Sequence, residues 1–177
     1  MTMASVAESA AAERVDFVAS LYDSHADELF GYLSRQVGAR DVAEELLQET
    51  FLRLVREVRG GRTPEQPRAW LYRVATNLAA SRGRRISAFG RTLGRLRLGA
   101  PQPSVEPGVI GREARDALLL AISHLGSDAR SALLLSAEGF SGAEIATLIH
   151  RSPLATRSLL FRARAVLRSE LAEEAAP

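Results

Sequence analysis

Two adjoining stretches decide the fold of this chain: DVAEELLQETFLRLVREV (Asp41–Val58) and PRAWLYRVATNLAASRGRR (Pro67–Arg85). In both, apolar residues recur every three or four positions, which is the period of an amphipathic α-helix. Gly60 and Gly61 end the first pattern, and Pro67 stands in a first helical turn, where proline is tolerated. The first helix has an acid-rich outer face, whereas the second is aromatic and increasingly basic. The pair therefore suits a protein partner on one helix and nucleic acid on the next.

The helix predicted for Asp41–Val58 has two distinct faces. One face is expected to be buried and holds Ala43, Leu47, Thr50, Leu54 and Val58. The opposite face holds Glu45, Gln48, Glu49, Leu52 and Arg56. Asp41 and Glu44 have the spacing of a capping box, so Asp41 is the expected N-cap. An exposed Leu52 among carboxylates indicates a binding surface.

The helix predicted for Pro67–Arg85 is expected to pack inward through Trp70, Leu71, Val74 and Leu78. This leaves a polar and aromatic set for solvent or ligand: Tyr72, Arg73, Asn77, Arg82, Arg84 and Arg85. Aromatic rings stack on unpaired bases, and arginine and amide side chains donate hydrogen bonds to them. An exposed asparagine in mid-helix is a poor helix former. Asn77 is therefore a candidate for reading a base edge.

Composition excludes several classes of protein. The chain has 177 residues, 46% of them hydrophobic and 25% charged, so one ordinary domain or two small ones can bury a core. It has no cysteine, which excludes disulfides, thiolate zinc sites and a cysteine nucleophile. No apolar run reaches membrane-spanning length, and the N-terminus lacks the basic start and apolar stretch of a secretory signal. We expect a cytoplasmic protein without membrane insertion.

The net charge of +2 hides a strong asymmetry along the chain. The first sixty residues hold eleven acids and six arginines, whereas residues 61–111 hold nine arginines and two acids. Residues 151–168 hold five arginines and no acid. All 23 basic residues are arginine, which binds phosphate through paired hydrogen bonds. Both basic segments lie on helical patterns, so we predict contact with nucleic acid.

The pattern along the chain predicts an all-α protein of two small modules with no strand and no repeat. Glu13–Val37 is predicted to form one helix or a bent pair, and further helices are predicted for Arg112–Leu125, Asp128–Glu138, Gly142–Ile149 and Pro153–Leu171. The expected order is a disordered tail (1–12), an N-terminal module (13–86), a flexible linker rich in glycine and proline (87–111) and a C-terminal module (112–172). Leu93, Leu96 and Leu98 could form a short helix inside the linker.

The C-terminal module carries a helix-turn-helix pattern. Ser141 is the expected cap of a short helix, residues 150–152 form a tight connection, and Pro153 begins a longer helix. The core stripe of this second helix is expected to hold Thr156, Leu160, Ala163 and Leu167. The outward stripe holds Arg157, Phe161, Arg164 and Arg168, with Leu159 beside it. Such a face suits the DNA major groove, where arginine binds guanine edges and phosphates.

Four segments together resemble one family. They are ELLQETFLRL (45–54), RAWLYRVATNLA (68–79), EGFSGAEIATLI (138–149) and TRSLLFRARAVLR (156–168). In this order and spacing they resemble the extracytoplasmic-function sigma factors of bacterial RNA polymerase. The resemblance covers about Tyr22–Arg85 and Ala117–Leu171. It implies a sigma region 2-like module, a region 4-like helix-turn-helix module, and a promoter-specificity subunit that opens promoter DNA for a specialised regulon.

The resemblance also implies partners and sites. Core polymerase would bind through its β′ clamp and β subunits, with clamp contacts from Glu45, Leu47, Gln48, Glu49 and Leu52. The minus-ten promoter element would contact Tyr72, Arg73, Asn77, Arg82, Arg84 and Arg85. The minus-thirty-five element would contact Arg151, Arg157, Ser158, Phe161 and Arg162. The linker would run toward the polymerase active site, and an anti-sigma factor would hold both modules inactive.

Two positions on the second helix depart from the family pattern. Ala155 and Leu159 stand where family members often have threonine and arginine. Fewer polar side chains are then left to read base edges, whereas phosphate contacts remain plentiful. We therefore expect this module to position the protein on DNA more than it specifies the sequence.

Three other functions are alternatives to this interpretation. A helix-turn-helix repressor or activator would leave the pair of helices at residues 41–85 unexplained. A nuclease or other enzyme lacks support, because His25, His124 and His150 are scattered and no carboxylate cluster, phosphate loop or nucleophile motif occurs. The sequence thus predicts no catalytic residue, metal or cofactor. A third alternative is an interaction protein that binds polymerase but reads no promoter.

Overall fold

The computed structural model describes residues 3–93 and 109–174, with side chains described for residues 11–86 and 115–172. Within these residues the chain forms α-helices and no strand, which confirms the all-α prediction. The helices are α1 (Met3–Val37), α2 (Arg40–Arg59), α3 (Pro67–Leu93), α4 (Val109–His124), α5 (Ser127–Ala137), α6 (Gly142–Leu148) and α7 (Pro153–Glu174). In the same part of the chain no helix is long and apolar enough to cross a membrane.

The N-terminal module is built from α1, α2 and α3, each packed against the other two. Its core holds the predicted apolar stripe of α2 together with Leu29, Leu33 and Leu71. A hydrogen bond of 2.7 Å joins the Tyr32 hydroxyl to the Thr76 hydroxyl inside this core. Burial raises the pKa of Tyr32 to about 12, so the phenol stays neutral.

The first two helices begin at residues other than those predicted. α1 begins at Met3, so residues 3–12 are helical where a disordered tail is expected. This segment is rich in alanine, the strongest helix former. α2 begins at Arg40 with Ala39 as its N-cap, and the predicted capping box of Asp41 and Glu44 is wrong. Asp41 instead lies in the first turn of α2, where a negative charge favours the helix dipole.

The C-terminal module is built from α4 to α7, with α7 packed against the other three helices. The predicted Ser141 cap is confirmed: the Ser141 hydroxyl accepts from the Glu144 amide, and the Glu144 carboxylate accepts from the Ser141 amide at 2.7 Å. Thr156, Leu160 and Ala163 of α7 are buried, as the stripe predicts. The short helix α6 is thereby fixed against the long helix α7.

The two modules pack directly against each other. α1 contacts α5, and α3 contacts both α5 and α6. Buried residues of both modules, among them Tyr72 and Phe140, belong to one continuous apolar cluster. Residues 94–108 lie outside the described residues, and with them most of the short helix predicted around Leu96. α3 continues to Leu93, into the predicted linker.

Arg130 joins the ends of helices from different modules. Its guanidinium donates to the carbonyls of Ile122, Ser123 and Leu125 at the end of α4, at 3.1, 2.6 and 3.1 Å. It also donates to the carbonyl of Gln36 near the end of α1, at 2.9 Å. Burial lowers the pKa of Arg130, but arginine starts so high that the group stays charged. A positive charge is favourable where two helix C-termini converge.

Candidate partner and nucleic-acid surfaces

The outer face of α2 presents carboxylates to solvent. Glu45 and Gln48 are exposed, and Glu49 is partly exposed. Glu49 accepts from Arg53 at 2.9 Å, and Arg56 lies 3.5 Å away. The hydrogen bond from Arg53 holds the pKa of Glu49 below its usual value, so this carboxylate is ionised at neutral pH. The face is therefore acidic, with arginines along one edge.

The two leucines predicted for the polymerase-binding face differ in exposure. Leu52 is 50% exposed and lies among the charged residues, where it can contact a partner. Leu47 is only 9% exposed and packs in the core of the N-terminal module. The prediction that Leu47 contacts a partner is therefore wrong for this arrangement. Its position on the buried stripe, which helical periodicity also predicts, is confirmed.

The outer face of α3 presents arginines. Arg73, Arg84 and Arg85 are exposed, and Asn77 is half-buried. Arg82 donates to Glu45 of α2 at 2.9 Å, which places the predicted minus-ten surface beside the predicted polymerase surface. Exposed ion pairs of this kind contribute little to stability, so Arg82 can exchange its carboxylate for a phosphate.

Tyr72 is the clearest departure from the predicted surfaces. Its side chain is 0% exposed, whereas the sequence places it on the solvent face of α3. Its ring packs edge-to-face with Tyr32 at 5.2 Å and with Phe140 at 5.0 Å. Its hydroxyl donates to Glu138 at 2.9 Å. The prediction that Tyr72 is accessible to DNA is wrong in this arrangement, because the C-terminal module covers it.

The turn of the helix-turn-helix contains no glycine. His150 adopts a left-handed conformation, with φ of 55°, immediately after α6. The His150 amide donates to Thr147 at 3.3 Å, and the Arg151 amide donates to Ala146 at 2.9 Å. This pair of bonds is the Schellman arrangement that ends a helix. Because α6 ends in this tight turn, α7 can begin at Pro153, shortly after α6 ends at Leu148.

The outward face of α7 is basic and apolar, as predicted. Arg157, Ser158 and Arg162 are exposed, and Phe161 is 68% exposed. Arg151 in the turn forms an exposed ion pair with Asp128 of α5. Solvent-exposed arginines around an exposed phenylalanine can contact phosphates, base edges and thymine methyl groups.

The sequence did not identify Leu154 or Glu138 as surface or contact residues, and its pattern placed Leu159 on the wrong side of α7. Leu154, in the first turn of α7, is 73% exposed and lies seven residues before Phe161, on the same face. That spacing could have revealed it. Leu159 packs against the core instead of lining the DNA-facing surface. Glu138 carries no signal in the sequence, yet it accepts hydrogen bonds from three residues of the N-terminal module.

Comparison with known proteins identifies the same two parts. The family model described as sigma-70 region 2 matches residues 21–88, and the model described as sigma-70 region 4 matches residues 115–167. The chain is 36% identical over 177 residues to the ECF RNA polymerase sigma factor SigL of Mycobacterium tuberculosis, covering 97% of each chain. It is 31% identical over 179 residues to the ECF sigma factor BldN of Streptomyces coelicolor, covering 98% of this chain and 67% of BldN.

Solved structures share the fold. The sigma factor RpoE of Bartonella quintana, solved with the anti-sigma factor NepR, superposes with a TM-score of 0.73 at 23% identity, covering 88% of this chain and 96% of RpoE. CnrH, solved with the cytosolic domain of CnrY, superposes with a TM-score of 0.65 at 23% identity, covering 96% of each chain. With both regions matched in order, and with a relative 36% identical along nearly the whole length, the chain belongs to the extracytoplasmic-function (ECF) sigma factors of RNA polymerase.

Proposed function

We propose that this chain is a promoter-specificity subunit of bacterial RNA polymerase that binds the core enzyme, opens promoter DNA and starts transcription of a specialised regulon. The observation that carries the proposal is the outward face of α7, where Arg157, Ser158 and Phe161 lie exposed on the second helix of a helix-turn-helix. The proposed division is a region 2-like module (13–86), a linker (87–111) and a region 4-like module (112–172). We place the protein in the cytoplasm, with the polymerase.

Core polymerase would bind the acidic face of α2. Glu45, Gln48 and Glu49 supply charge and hydrogen-bond acceptors, and Leu52 supplies an exposed apolar contact. A small apolar centre among charged groups is the usual make-up of a specific protein interface. We assign this face to the β′ clamp, and further contacts to the β subunit.

The minus-ten element would bind α3. Arg73, Arg84 and Arg85 are exposed for phosphate contact, and Asn77 offers both a donor and an acceptor to a base edge. The minus-thirty-five element would bind α7 through the exposed face described above. We further propose that an anti-sigma factor regulates the chain, since RpoE, which shares its fold, was solved in complex with the anti-sigma factor NepR.

The test is charge reversal on α2. The double variant Glu45→Arg/Glu49→Arg should lose co-elution with core bacterial RNA polymerase in size-exclusion chromatography, because like charges would face the partner where opposite charges are proposed. The helical circular dichroism spectrum should stay unchanged, because both positions face solvent.

A matched control separates this effect from net charge. Asp23→Arg/Asp27→Arg makes the same change at the same spacing on an exposed part of α1. We expect this control to co-elute with core polymerase like the parent chain. Normal co-elution of the α2 variant would contradict the assignment of the binding face.

A further inference from the structure

Glu138 lies at the centre of the contact between the two modules. Its two carboxylate oxygens accept from Arg35 at 2.6 Å and from Tyr72 at 2.9 Å. Its backbone carbonyl accepts from Arg68 at 2.6 Å. All three donors belong to the N-terminal module, so one residue at the end of α5 receives hydrogen bonds from both α1 and α3.

The end of α5 explains how Glu138 reaches this position. Gly139 adopts φ of 86°, which turns the chain sharply after the helix. The Gly139 amide donates to Ser136 at 3.2 Å and the Phe140 amide to Leu135 at 3.1 Å, which is again the Schellman arrangement. The turn leaves the Glu138 carbonyl open to a donor from outside the helix and directs the Phe140 ring toward the N-terminal module.

Phe140 completes the contact on its apolar side. The Arg68 guanidinium lies over the Phe140 ring at 4.5 Å and over the Tyr72 ring at 5.1 Å. Nearby, Gln36 donates to the buried hydroxyl of Ser131 at 2.8 Å. Burial and the neighbouring Glu138 carboxylate raise the pKa of Tyr72, so its hydroxyl remains a proton donor at any physiological pH. The contact thus combines charge-assisted hydrogen bonds with packed aromatic rings.

This arrangement cannot occupy both promoter elements. One helix, α6, contacts both α3 and α7. Because packed helices lie about 8–10 Å apart, the two proposed DNA-binding helices lie within roughly 20 Å. Elements centred about 25 base pairs apart are separated by roughly 85 Å along B-form DNA. The modules must therefore separate before the chain can contact both elements.

We propose that the Glu138 contact is an intramolecular latch, which holds the chain closed and covers Tyr72 until the modules are pulled apart. The latch rests on the proposed function above and adds a restraint that needs no second protein. Opening exposes Tyr72 and frees Arg68 on the side of α3 that faces α5 and α6. Because only the open form exposes Tyr72 and can span both elements, the latch lowers the apparent affinity for DNA that uses either by the fraction of chains that are open.

The latch can be tested with a thiol reporter, because the chain has no cysteine of its own. Ser131→Cys places a thiol of similar size at a buried position between the modules. Its labelling rate with an aromatic disulfide reagent measures the open population. In this background, Glu138→Gln should raise the labelling rate about tenfold, the effect expected for loss of a charge-assisted hydrogen bond. Arg35→Gln, on the other side of the contact, should act in the same direction.

Glu170→Gln is the matched control, because Glu170 lies 3.1 Å from His124 within the C-terminal module. It removes the same charge and should leave the labelling rate unchanged. An unchanged rate in both Glu138→Gln and Arg35→Gln would overturn the latch. Circular dichroism verifies that each variant is folded.

Affinity for a labelled single-stranded oligothymidylate supplies the second readout. If the latch is inhibitory, Glu138→Gln should tighten this binding, because opening exposes the Tyr72 ring for stacking on a base. Faster labelling with unaltered DNA affinity would overturn the inhibitory role. Faster labelling in a chain that binds neither this DNA nor core polymerase would support the closed contact and contradict the proposed function instead.

Discussion

At the scale of single residues, Asn77 and Tyr72 of α3 differ in their burial and in their hydrogen bonds. Asn77 is half-buried in the middle of α3, and no described contact of the fold explains an amide there. Tyr72, on the preceding turn, is fully buried and bonded to Glu138. A base-reading role is therefore open to Asn77 in the closed chain, whereas Tyr72 can take such a role only after the modules separate.

Replacing Asn77 with alanine should weaken promoter opening and relax preference at one base position. A side-chain amide that bonds a base edge in two places discriminates by about 1–3 kcal/mol, roughly 5-fold to 150-fold in affinity. The measurement is transcription from a set of promoters that differ by single bases in the minus-ten element. Thr63→Ala, on the exposed loop before α3, is the control. An identical preference profile for the Asn77→Ala variant and the parent would count against base reading.

The sequence predicted correctly that the arginines of α3 are exposed, but it did not predict that Tyr72 is buried. Helical periodicity identifies the two faces of α3, but it does not show which face a second module covers. Tyr72 meets Glu138 and Phe140, which lie more than sixty residues further along the chain. Arg73, Arg84 and Arg85 are exposed as predicted, because nothing in the described structure covers their part of the helix.

At the scale of elements, α7 combines two kinds of DNA contact on one face. Arg157 and Arg162 lie among Ser158 and Phe161, where side chains can reach base edges. Arg168 lies further along the helix, and its guanidinium donates to the Arg164 carbonyl at 3.2 Å. The first part of a recognition helix enters the major groove, whereas later residues contact the backbone. We therefore expect specificity from the first half of α7 and affinity from both halves.

Alanine at Arg157 should change both affinity and sequence preference, whereas alanine at Arg168 should change affinity alone. Each phosphate contact that is lost should reduce the salt slope of a log–log binding plot by about one unit. The measurement is a set of binding isotherms at several salt concentrations, on duplexes that differ in the minus-thirty-five element. Equal shifts in preference for the two variants would contradict this division of α7.

Most elements could be predicted from the sequence, but some of their ends could not. The apolar periods of α2 and α7 predict their buried stripes, and the structure bears these out. On α3 only Leu71 of the predicted stripe is buried, whereas Trp70, Val74 and Leu78 are partly exposed. α2 begins at Arg40, two residues before the start that an Asp41 cap predicts, because the helix begins without a side-chain cap. The helical pattern places Leu159 beside the outward stripe of α7. The side chain nevertheless packs against the core, because α7 is contacted by three other helices.

At the scale of the whole molecule, the described structure is one packed body, although the sequence reads as two modules. The predicted linker gives no sign of how the modules meet. Their contact depends on Arg35, Tyr72 and Glu138, which are distant in sequence and individually unremarkable. The family's function nevertheless requires the modules to act at separate promoter elements. The packing and the function agree if the chain has a closed arrangement, in which the modules are packed together, and an open one, in which they bind separate elements.

The most direct test of the account is a run-off transcription assay with core bacterial RNA polymerase and a library of promoters. We predict that adding the chain produces transcripts from a small subset of promoters that share a minus-ten and a minus-thirty-five element. Core enzyme alone should not select this subset, and Glu45→Arg/Glu49→Arg should not support it. A chain that binds core polymerase but leaves the transcript profile the same as that of core enzyme alone would contradict the claim that it confers promoter specificity.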